Sequence, residues 1–80
     1  MTVHTQYYPE AGRWMAWFDD FDGAPDAAPE HRLIGQGIDQ LDAVEDLREE
    51  ALNARAIDYA MEAGEMLEIM QAPITNLQIL

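Results

Sequence analysis

Three residue types are missing from this chain of 80 residues: cysteine, serine and lysine. Without cysteine there is neither a disulfide nor a thiolate zinc site to supplement the core. Without serine or cysteine there is no hydroxyl or thiol nucleophile of the usual kind for covalent catalysis. Without lysine the only cations are Arg13, Arg32, Arg48 and Arg55, set against 16 carboxylates for a formal charge of −12. The chain also lacks any run of roughly 18 apolar residues, the length that a membrane-crossing helix requires. Its opening, MTVHTQYYPE, has no basic stretch followed by an apolar one, so no export signal is read there and the cytoplasm is the expected location.

What is present is apolar bulk and negative charge. Trp14, Trp17, Phe18, Phe21, three tyrosines and five methionines exceed what a disordered chain carries. Residues 1–80 are read as one domain, near the lower size limit for a self-sufficient core, so a dimer or a partner would help it. Self-repulsion at a charge of −12 opposes compaction. Two kinds of explanation fit: solubility or a high-salt habitat on one side, and on the other a basic partner such as the nucleic-acid-binding surface of another protein. Direct binding to nucleic acid needs the opposite sign and is excluded as an expectation.

Along the chain, Thr2–Tyr8 alternates as a strand, and Pro9–Gly12 has the residues of a turn. Arg13–Asp19 alternates again, with Trp14, Ala16 and Phe18 opposite Met15 and Trp17, which completes a hairpin. Asp19–Arg32 holds two prolines, a glycine and many acids, and is expected to be an exposed loop with Phe21 turned back onto the core. Leu33–Ile38 suits a short third strand weakened by Gly35 and Gly37.

Asp39 is a candidate N-cap, with Asp42 three residues on, as in a shortened capping box. Leu41, Val44, Leu47, Ala51 and Ala54 then mark a helical core stripe. Nothing interrupts the helical pattern before Gly64, but the stripe rotates toward Ile57, Met61 and Gly64. Either the helix bends near Asn53, or its second half buries another face, for instance against a second copy of the chain. After Pro73, Ile74–Leu80 alternates as a last strand. The expected fold is α+β: a small antiparallel sheet of a hairpin plus a third strand, packed on one long helix in the C-terminal half, in the order β-β-β-α-β.

The residues that carry chemistry are sparse. His4 and His31 lie on a strand and in a loop, without the spacing of metal ligands, and are read as a half-exposed strand residue and a surface residue. Asp19, Asp20 and Asp22 form a carboxylate cluster without the spacing of a calcium loop, so no metal and no cofactor is expected. Gly35-Gln36-Gly37 before a helix imitates a phosphate loop but lacks a lysine, and Asp39 and Asp42 stand where phosphate would sit. The remaining pattern is the helix face Asp42, Glu45, Asp46 and Glu49, flanked by Glu50 and opposite the core stripe. Neighbours at this spacing lie about 5–6 Å apart, so the helix would present a row of one sign to a partner.

The segments Gly12-Arg13-Trp14-Met15-Ala16-Trp17-Phe18-Asp19-Asp20-Phe21-Asp22-Gly23 and Gly37-Ile38-Asp39-Gln40-Leu41-Asp42-Ala43-Val44-Glu45-Asp46-Leu47 resemble the HicB-like antitoxin family. The resemblance covers about residues 2 to 55. It implies a β-β-β-α-β domain without enzymatic activity that blocks a small, basic, RNA-cleaving toxin. Asp22 stands where the family's turn usually has proline, Asp39 where its helix usually starts with threonine, and the segment between Gly23 and Gly37 is longer than usual. No DNA-binding domain follows, which puts operon regulation in doubt.

The leading expectation is therefore an inhibitor that masks a basic, nucleic-acid-binding surface. Asp19, Asp20 and Asp22 and the helix acids would meet its cations, and Tyr8, Trp17 and Phe21 would serve as apolar anchors. The same physics fits a phage-encoded anti-CRISPR protein that imitates nucleic acid and blocks a host defence complex. A third expectation, from another class, is a small regulatory domain that binds a metal or a small ligand on its sheet.

Overall fold

The computed structural model describes residues 1–71. Three antiparallel strands, β1 (Val3–Tyr8), β2 (Arg13–Phe18) and β3 (Ile34–Gly37), form a sheet in that spatial order. Two helices follow, α1 (Gln40–Asn53) and α2 (Ile57–Met70). The α+β class agrees with the sequence; the single long helix does not. The expected strand over 74–80 lies outside the described residues.

The hairpin forms because Gly12 takes the left-handed conformation, with φ at 65°, and closes the loop through hydrogen bonds from the Ala11 and Gly12 amides to the Tyr8 carbonyl. Register then follows: Val3 opposes Phe18, Thr5 opposes Ala16, and Ala16 opposes Gly35. One sheet face thus carries Val3, Thr5, Trp14, Ala16, Phe18, Gly35 and Gly37, and α1 packs against it. A methyl group at Gly35 would overlap the Ala43 carbonyl and the Leu47 amide, and one at Gly37 would overlap Asp42 and the Ala43 amide. These glycines let a helix backbone rest on a strand backbone, which is why a strand that looked weakened in the sequence is where the helix seats.

α1 starts as its sequence predicts. Asp39 is extended, and its side chain accepts the Asp42 amide at 2.8 Å. Ala43, Val44, Leu47 and Ala51 are buried on the sheet side, together with Ala16, Phe18 and Leu33. Ala54, placed in the core stripe from the sequence, is exposed. The reason is the end of the helix. Arg55 takes φ 59°, the Arg55 amide donates to the Leu52 carbonyl, and the Ala56 amide donates to the Ala51 carbonyl at 2.9 Å. This is the paired bonding of a Schellman motif, with arginine in the left-handed position that glycine normally fills. The chain reverses there into α2.

α2 buries Ala60 and Ala63, with Tyr59, Met66, Leu67 and Met70 packed around them, a clean helical stripe against α1 and the β1 side of the sheet. The stripe of Ile57 and Met61, suspected as a second buried face, points to solvent. No helix among the described residues is long and apolar enough to cross a membrane.

Candidate functional site

The sheet has a second face, and no described helix covers it. By register it carries His4, Gln6 and Tyr8 from β1, Met15 and Trp17 from β2, and Ile34 and Gln36 from β3. Tyr8, Met15, Trp17, Ile34 and Phe21 line one open depression of about 270 Å³ there. The three residues picked from the sequence as apolar anchors, Tyr8, Trp17 and Phe21, therefore share one concavity, although they come from β1, β2 and the following loop. His4 stacks on Trp17 with ring centroids 6.0 Å apart and an interplanar angle of 23°. Phe21 is 39% exposed and lies on this outer face instead of folding onto the core as expected. Met15 and Ile34 were not singled out in the sequence; the period-two alternation with Trp17 was the signal that could have found them.

Beside the depression the loop is held by its own backbone. The Phe21 amide donates to the Phe18 carbonyl at 3.0 Å, and the Asp22 amide donates to the His31 carbonyl at 2.7 Å. Asp22 also accepts the Ala24 amide, which turns the chain. The three loop acids then divide. Asp19 and Asp22 are exposed, whereas Asp20 turns inward. Tyr59 donates a hydrogen bond to Asp20 Oδ2 at 2.5 Å, and His31 Nε2 lies 3.6 Å from the same oxygen. Asp20 Oδ1 is buried without a partner. The hydrogen bond to Asp20 first, then burial, then the negative charges of Asp20, Glu30 and Asp19 push the Tyr59 hydroxyl up to about 12. Tyr59 also meets Phe18 edge-on at 5.1 Å, so this contact fastens the loop to both the core and α2.

The acidic face of α1 is less continuous than its spacing suggests. Glu45, Glu49 and Glu50 are exposed, but Asp42 and Asp46 are half-buried. Asp46 accepts the Gln36 amide at 2.9 Å, so it serves the outer edge of β3. Glu45 and Glu49 share a shallow recess with Arg48 and Leu67. Among the described residues no cluster of three or more His, Asp or Glu side chains is placed to hold a metal ion.

No family model, no curated protein and no solved structure matches the chain. The likeness to HicB-like antitoxins thus rests on its short motifs alone.

Proposed function

We propose that the chain is a non-enzymatic interaction module that inhibits a basic, nucleic-acid-binding protein by covering its charged surface. The observation that carries this reading is the open apolar depression built by Tyr8, Trp17 and Phe21 on the uncovered sheet face, beside the exposed carboxylates of Asp19 and Asp22. Aromatic side chains clustered in a concavity supply affinity, and surrounding charge supplies association rate and choice of partner. A net charge of −12 selects a cationic partner. A HicB-like antitoxin acting on a small ribonuclease toxin fits this description.

The anti-CRISPR reading draws on the same acidity and small size with a different target; in either reading the engagement of Asp46 with β3 shifts weight from the helix row to the sheet face.

Affinity capture from the native host tests the proposal, with the parent and a Trp17→Ala/Phe21→Ala double variant as baits. The parent should retain a basic nucleic-acid-binding protein, and the variant, folded by circular dichroism, should lose it. Retention should weaken with added salt, since exposed charges are screened over about 8 Å at physiological ionic strength. A neutral or acidic partner, or equal retention by the variant, sinks the reading.

A further inference from the structure

The walls of the outer-face depression are placed in two different ways. Tyr8, Met15, Trp17 and Ile34 are set by strand pairing, whereas Phe21 comes from the loop and no ladder fixes it. Phe21 arrives through a tight turn: its amide donates to the Phe18 carbonyl at 3.0 Å, with Asp19 and Asp20 between them. Phe18 ends β2 on the covered face and is 1% exposed, so this turn carries the chain past the end of the sheet from one face to the other. Tyr59, from α2 on the covered side, touches the turn at two points. Its ring meets Phe18 edge-on, and its hydroxyl donates to Asp20 Oδ2. Asp20 is thereby turned inward at the position immediately before Phe21, which is turned outward. The anchor has a cost, because Asp20 Oδ1 is buried without a partner and opposes the gain from the Tyr59 bond. Stability is thus a poor account of a carboxylate at this position, and what the turn delivers is a better one.

We propose that Asp20 and Tyr59 are positioning residues for the depression: the bond between them sets the direction of the turn and so holds Phe21 on the outer face as one of its walls. Neither side chain lies among those that line the depression. The coupling runs from α2 on one side of the sheet to a surface on the other. It rests on the reading of the depression as the docking site, and adds that α2 governs the shape of that site. Such coupling is reciprocal, so a partner seated against Phe21 tightens the Tyr59 contact in turn.

Nuclear Overhauser spectroscopy of the full chain, without any partner, tests this. In the parent, the Phe21 ring should show contacts to Met15, Trp17 or Ile34. Tyr59→Phe and Asp20→Ala remove the bond from its two ends, and each should lose those contacts while the dispersed signals of the sheet and helices persist. Asp20→Asn keeps an acceptor for the Tyr59 hydroxyl and should restore them. Ala63→Gly weakens α2 at a distance from the loop and should retain them. Contacts that are missing from the parent, that survive in Tyr59→Phe, that Asp20→Asn does not restore, or that vanish equally in Ala63→Gly overturn the proposal. Should Asp20→Ala not fold, Tyr59→Phe decides alone. Because no partner is needed, failure here leaves the docking reading standing, and failure of the affinity capture leaves the positioning standing.

Discussion

The two faces of the sheet are made by alternate residues of the same strands, yet they differ in nearly every respect. Toward α1 the strands narrow to Ala16, Gly35 and Gly37, so that backbone meets backbone. Away from α1 the same strands carry Met15, Trp17 and Ile34, and no described helix covers them. Bulk at Gly35 or Gly37 would push α1 off the sheet, whereas the open face accommodates it. Large apolar side chains on an uncovered face call for an explanation outside folding.

The contrast breaks most readily at neighbouring positions of β3. Gly35→Ala drives a methyl into the backbone of α1, where no side chain can yield. It should remove about 3 kcal/mol or more, a large part of the roughly 4–12 kcal/mol that a domain of this length holds. Ile34→Thr, one residue away on the open face, should cost about 1 kcal/mol. Urea unfolding followed by circular dichroism measures both, and equal losses would erase the distinction between the faces.

A smaller effect is expected on the covered side at Tyr59. Tyr59→Phe deletes the bond to Asp20 and should cost about 1–2 kcal/mol near neutral pH. The hydroxyl titrates near 12 when folded against 10.0 in the unfolded chain. Its contribution is therefore complete below pH 10 and fades as the pH rises from 10 toward 12. The parent should lose this stability across that window, and the difference between parent and variant should shrink there. A constant difference would mean that Tyr59 acts through packing against Phe18 alone.

The smallest effect should be a gain. Arg55→Gly relieves a left-handed arginine and should stabilise the chain by about 0.5–1 kcal/mol. Calorimetric melting checks it, and a loss of stability would mean that the Arg55 side chain has a structural contact of its own.

Much of this architecture was legible in the residues. Alternation placed β1, β2 and the inward set Trp14, Ala16 and Phe18, and Asp39 announced the start of α1. The rotation of the apolar stripe offered a bend near Asn53, where α1 ends, but a full reversal there was hidden because it uses arginine where glycine is the usual marker. Helical spacing carried through that point puts Ala54 in the core stripe and leaves Ile57 and Met61 as a second face, and all three are exposed. At the candidate site, composition and alternation singled out Tyr8, Trp17 and Phe21, which share one depression, but which face stays uncovered is a property of helix placement. Helical spacing likewise put Asp42, Glu45, Asp46 and Glu49 in one row, and spacing is blind to the β3 amide that engages Asp46.

That last bond reaches beyond its own helix. With a carboxylate seated on the Gln36 amide, the rim of the sheet along β3 offers an incoming strand an occupied donor and a negative charge. The opposite rim, along Val3–Tyr8, has no such guard among the described residues. Among the described residues the two rims thus differ in what they offer an added strand, and pairing through β3 is the one the carboxylate opposes.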